Sequence, residues 1–184
     1  MKELILSRNI IADALSCDMS EIFFTSGGTE ANNLAVFGSV EANKRKGNKI
    51  VTTAIEHESI LAPCAELEKA GFEIVRLVPN EKGNITPEQI FNAVDDKTIL
   101  VSTMYVNNEV GSILPVETVK DAIKAKNSPA LFHTDCVQAF GKLPVKPSKI
   151  KADLLTITAH KIHGPKGCGA LYIKKGVRIC LLYT

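Results

Sequence analysis

"LLTITAHKIHGPKG", residues 154–167, sets an apolar run directly against a cluster of cations. Leu154, Leu155 and Ile157 read as a buried strand. His160, Lys161, His163 and Lys166 follow at once, with the Gly164-Pro165 turn among them. Short apolar strands of this kind belong to sheets covered on both faces, and such sheets place ligands beyond their carboxyl ends. The residues just past each of the other strands therefore decide both fold and function.

Outward from this stretch the pattern repeats. Residues 21–25, 49–53, 72–77, 98–104, 130–134, 153–158 and 168–173 read as strands. Helical patterns fill 29–46, 59–70, 87–94 and 116–126, and the opening "MKELILSRNIIADAL" reads as an amphipathic helix. Thr86, Pro87 and Gln89 form a capping box with proline at the first helical position. Strands alternating with helices predict an α/β fold: a three-layer αβα sandwich around a mainly parallel, seven-stranded sheet with right-handed crossovers.

The bulk composition narrows the function. The chain has 184 residues, a net charge of +2 and no Trp. Its charges are interspersed, which argues against nucleic acid and against an anionic membrane. No apolar run approaches the roughly 20 residues that cross a bilayer. Five cysteines without a C-x-x-C pair fit a reducing, cytoplasmic setting and no metal site.

Five strand ends carry polar groups. "TSGGTEANN" places Gly28 and Thr29 at a helix N-terminus, where free amides and the helix dipole suit a phosphate; a plain β-to-α turn reads the same way. "AIEHES" supplies His57, a capping or surface histidine on that stretch alone. "YVNNEVG" supplies Asn108, within what also reads as a turn. "HTDCVQAFG" supplies Asp135 and Gln138; a carboxylate ending a buried strand needs a positive partner. Thr158, His160 and Lys161 complete the rim. A lysine near an apolar sheet edge is a candidate amine nucleophile. Amine, buried carboxylate and phosphate cradle together are what pyridoxal 5'-phosphate requires.

"FTSGGTEANNLAV", "TAIEHESIL", "YVNNEVGSILPV", "FHTDCVQAFGKLPV" and "TAHKIHGPKGCGALYI" resemble, in order, the motifs of the NifS-like cysteine desulfurases. These are class V aminotransferase-superfamily enzymes of pyridoxal phosphate fold-type I. The resemblance covers residues 20–174. It implies that Lys161 is the Schiff-base lysine, that Asp135 pairs with the pyridine nitrogen and that Gln138 bonds the phenolic oxygen. His57 would stack on the ring. Gly28, Thr29, Thr158 and His160 would hold the phosphate, and Asn108 would orient the substrate. Thr158 stands where the family often has Ser, which keeps the hydroxyl. His163 and Lys166 carry no assigned role.

The resemblance further implies L-cysteine as substrate, a homodimer, and a sulfur-acceptor or iron-sulfur scaffold protein as partner of the full-length enzyme; the alternatives are another class V enzyme, a selenocysteine lyase or an aminotransferase, or a truncated product without activity. The family's early "N-A-A-T-T"-type segment, loop cysteine and substrate-binding arginine have no counterpart here. The expected organisation is a cofactor-binding large domain over 1–175, incomplete at its start, and the beginning of a smaller domain over 176–184. Cys64, Cys136 and Cys168 read as packing residues. Apolar surface is expected around Ile179, Leu181 and Leu182.

Overall fold

The computed structural model describes residues 2–180. Its seven strands form one sheet in the order β1-β7-β6-β5-β4-β2-β3. These are β1 Ile22–Thr25, β2 Lys49–Thr53, β3 Glu73–Leu77, β4 Thr98–Met104, β5 Leu131–Asp135, β6 Leu154–Thr158 and β7 Gly169–Ile173. Pairings among β2 to β6 are parallel, and β7 runs antiparallel to both β1 and β6. The fold expected from the sequence is therefore the fold observed, with strand limits shifted by a residue at most.

Alternation along the strands builds the layers. Ile50, Leu100, Leu154 and Leu171 bury one face of the sheet beneath α2 (Gly28–Asn43) and α3 (Glu58–Lys69). Their chain neighbours Val51, Val101, Leu155 and Tyr172 bury the other face in the largest cluster. That cluster includes Ala12 and Leu15 of α1 (Lys2–Leu15), Ile90 of α4 (Pro87–Ala93), Val119 and Ile123 of α5 (Val119–Ala125), and Ile150 of α6 (Pro147–Ile150). A period of two sends adjacent side chains to opposite faces, so each strand is anchored on both sides.

Local chemistry explains the helix limits. The Thr86–Gln89 capping box forms as expected at α4. The pattern at 116–126 divides into a 3-10 turn, Val116–Thr118, and then α5. α2 stops at Asn43, short of the predicted 46, where Asn43 bonds back to the Ser39 carbonyl. α3 tolerates Pro63 although proline cannot donate to the Ser59 carbonyl. That carbonyl accepts from Asn33 Nδ2 at 3.4 Å instead.

Two expectations about the chain's last third meet the structure differently. Ile179 is half-buried: it packs with Val177 against the cluster of Ala31 and Ala35 on α2, and Cys180 N donates to the Gly38 carbonyl, so at this one residue the expected apolar surface is partly covered. Leu181 and Leu182 lie outside the described residues. Cys168 is exposed just before β7, because the loop preceding that strand faces outward. Among the described residues no helix is long and apolar enough to cross a membrane.

Candidate active site

All nine residues expected from the sequence line one cavity of about 240 Å³ at the carboxyl ends of the parallel strands: Gly28, Thr29, His57, Asn108, Asp135, Gln138, Thr158, His160 and Lys161. Asn32, Ser59, Met104, Val106 and Val137 share the lining and were not singled out by the motifs. Asn32 and Ser59 stand inside "TEANN" and "EHES", so their signal was a polar residue one helical turn or less from an expected site residue.

Asp135 closes β5 and is 6 % exposed. Its Oδ2 accepts from Asn32 Nδ2 at 2.7 Å and its Oδ1 from the Val137 amide at 2.8 Å. Burial pushes this carboxyl above the usual aspartate range, while the two hydrogen bonds and the nearby His57 pull it back. Among the described residues Asp135 forms no ion pair with a lysine or arginine. A cation entering the cavity would meet a carboxylate whose charge is otherwise uncompensated.

Asn32 also donates to Ser59 Oγ at 2.8 Å, and Ser59 Oγ lies 2.8 Å from His57 Nδ1. His57 is the N-cap of α3, where its Nδ1 accepts the Ser59 amide at 3.1 Å. It is thus both the capping residue its own stretch suggested and a cavity residue. With Nδ1 accepting, the neutral ring carries its proton on Nε2. One polar chain joins His57, Ser59, Asn32 and Asp135. Beneath it, His133 bridges Ser102 and Thr156 at 2.9 and 3.0 Å, tying β4, β5 and β6 together on the same face. Burial lowers the His133 pKa to about 3.

The opposite wall is built from backbone. Gly27, at φ 154° and ψ −174°, adopts a conformation nearly closed to other residues and caps α2 without a side-chain bond. The first amides of the helix have no partner within it, and Gly28 and Thr29 line the cavity. A Cβ on Gly169 would stand 2.7 Å from Gly27 Cα, so glycine there lets β7 approach the turn. Thr158 Oγ1 is 3.0 Å from His160 Nδ1 and donates to the Cys168 carbonyl at 3.2 Å. The unpaired amides at the start of α2, with the His160 imidazole in the same cavity lining, suit an anion.

Lys161 ends the 3-10 turn Ala159–Lys161 and is exposed, not held against the sheet edge as the sequence suggested. Gln138 is half-buried, and its Oε1 lies 3.4 Å from Lys142 Nζ. Asn108 is exposed in the loop after β4. Asn107, beside it, is 5 % exposed and fixes the loop by donating to the Ile55 carbonyl and accepting from the amides of Glu109 and Val110. These donors and acceptors fit pyridoxal phosphate: a carboxylate for its ring N–H, an amine for its aldehyde and a cradle for its phosphate.

Comparison with known proteins agrees with this arrangement. Residues 2–179 match the aminotransferase class-V family. The chain is 47 % identical over 174 residues to cysteine desulfurase IscS of Methanosarcina thermophila, covering 95 % of this chain and 43 % of that protein. It is 49 % identical over 174 residues to cysteine desulfurase IscS of Clostridium botulinum strain Hall, with the same coverage. A solved NifS-like protein superposes with a TM-score of 0.92 at 40 % identity, over 97 % of this chain and 49 % of that one. The structure of SspA in complex with cysteine superposes with a TM-score of 0.91 at 35 % identity, over 97 % and 52 %. The chain thus spans less than half the length of these curated relatives. The family's match runs through every strand and helix that shapes the cavity, and on that ground the chain belongs to the aminotransferase class-V family.

Proposed function

We propose that this chain forms the cofactor-binding part of a pyridoxal 5'-phosphate-dependent cysteine desulfurase acting on L-cysteine. The observation that carries the reading is Asp135: a buried strand-end carboxylate, hydrogen-bonded but unpaired with a cation, in the same cavity as Lys161. The cofactor supplies an electron sink at the substrate Cα. Asp135 holds the proton on the ring nitrogen. Lys161 Nζ would hold the cofactor's aldehyde carbon and would be the base for the proton at the substrate Cα. His57, set by its cap on α3, covers the ring face. Gly28, Thr29, Thr158 and His160 hold the phosphate, Gln138 meets the phenolic oxygen and Asn108 orients the substrate. The relatives named cysteine desulfurase support L-cysteine as substrate; alanine and a protein persulfide as products belong to the proposal. A homodimer and a sulfur-acceptor or iron-sulfur scaffold partner belong to the same reading.

Persulfide formation needs a thiolate at the substrate sulfur, and none of the described cysteines lines the cavity. Burial pushes the Cys136 thiol far up, and Cys64 up to about 12. This chain alone is therefore expected to bind cofactor and L-cysteine without sustained turnover. Adding pyridoxal phosphate should produce a visible band that L-cysteine shifts, with no sulfide released above the background of cofactor and cysteine alone. Sulfide production that disappears in Cys136→Ser would contradict the assignment of Cys136 to packing, and a chain that develops no band would contradict the cofactor.

A further inference from the structure

The "AIEHES" stretch holds a second ionisable group beside His57, and the chemistry above does not use it. Glu56 turns inward and is 5 % exposed. Its Oε1 accepts two hydrogen bonds, from Thr53 Oγ1 at 2.7 Å and from the Met104 amide at 2.9 Å. Thr53 ends β2 and Met104 ends β4. The backbone ladder between those strands runs from Lys49 to Val51 only. Glu56 joins them beyond that point, where they reach the cavity.

The two carboxyl oxygens are unlike. Oε1 takes both donors, as a carbonyl oxygen does, while Oε2 is buried with no partner. No ion pair reaches Glu56 among the described residues. The ionisable groups that face it are the carboxyl of Asp135 on β5, Cys64 on α3, itself a buried thiol, and His57 next in the chain. Ionising Glu56 would put a second negative charge near Asp135 in a dry setting, the costlier of its two states.

We infer that Glu56 is a positioning residue that acts as a neutral carboxylic acid, fastening β2 to β4 behind His57 and leaving Asp135 as the negative group facing the cavity. Burial, opposed by its two hydrogen bonds, pushes its carboxyl up to about 8. The consequence for Asp135 rests on the pyridoxal phosphate reading; the state of Glu56 does not.

The test is a pH titration of the whole chain labelled with carboxyl-13C glutamate, with Glu56→Gln identifying the resonance, beside pyridoxal phosphate titrations of three chains. The Glu56 carbon should stay at its protonated position to pH 7. Glu56→Gln, which keeps the shape and neutrality, should change the cofactor Kd by less than threefold. Glu56→Asp, one methylene too short to reach both donors, should weaken it at least tenfold. A carbon already ionised at pH 6 would overturn the inference, as would a folded Glu56→Gln chain weakened tenfold or a folded Glu56→Asp chain with unchanged affinity. If the unaltered chain binds no cofactor, the cofactor reading fails and the carbon titration alone decides the state of Glu56.

Discussion

Asp135 and Lys161 face the same cavity from two different kinds of structure. Asp135 is the last residue of a central strand, flanked by β4 and β6 and braced by Asn32, the Val137 amide and the His133 bridge below. Lys161 sits in a single 3-10 turn within an exposed loop, where His163 at φ 65° and Gly167 at φ 83° turn the chain back toward β7. The first arrangement holds a charge still in a dry place. The second leaves an amine free to swing, as the role proposed for Lys161, holding a cofactor and moving a proton, requires. Preorganisation is concentrated where charge must be stabilised, and freedom where an atom must travel.

Substitutions on the two sides should differ accordingly. The largest effect is expected at Asp135→Ala. Deleting one partner of a buried charge pair costs about 3 kcal/mol or more, so cofactor affinity should fall by about 100-fold or more in an absorbance titration. On the sheet side again, Gly169→Ala forces a Cβ to 2.7 Å from Gly27 Cα, backbone against backbone. Overpacking of this kind should cost about 2 kcal/mol in urea unfolding and weaken phosphate-dependent binding. On the loop side, Gly167→Ala meets no atom within 4 Å. Only its positive φ opposes the change, so about 1 kcal/mol is expected. Equal costs at 167 and 169 would contradict this difference between sheet and loop.

The pH dependence of stability sharpens the same contrast, because the shifted groups lie under the sheet side. Glu56 has its folded pKa raised from 4.5 to about 8, so the unfolded chain releases its proton first and stability falls as pH rises through that range. Asp135, also raised, acts in the same direction. His133 has its folded pKa lowered from 6.5 to about 3, so stability falls as pH drops from 6.5 toward 3. The Glu56 and His133 contributions oppose each other between 4.5 and 6.5. Above 6.5 the Glu56 loss stands alone of the two and should reach roughly 2 kcal/mol by pH 8. Urea midpoints measured across pH 6.5–8 should show this slope in the unaltered chain and a shallower one in Glu56→Gln.

The fold was legible because two periods are written plainly in the sequence. Apolar runs such as residues 98–104 and 153–158 are short enough for strands, and capping signals at Thr86 mark where a helix begins. Asp135, Thr158 and Lys161 were legible because each comes directly after a run that must be buried. Asn32, Ser59 and Glu56 were not singled out, since their roles depend on elements far apart in the chain meeting in space, 27 to 103 residues apart for the contacts of Asn32. The four-residue helix at Pro147 was too short to show a period, and the exposure of Cys168 arises from a loop geometry that composition does not encode.

The central claim, that Asp135 and Lys161 converge on one cofactor, is tested most directly by reducing the pyridoxal phosphate complex with borohydride and mapping the modified peptide. One stoichiometric label on Lys161 is expected, with Asp135→Ala lowering its yield at limiting cofactor. Label spread over the exposed lysines, or fixed on a lysine outside the cavity, would contradict it.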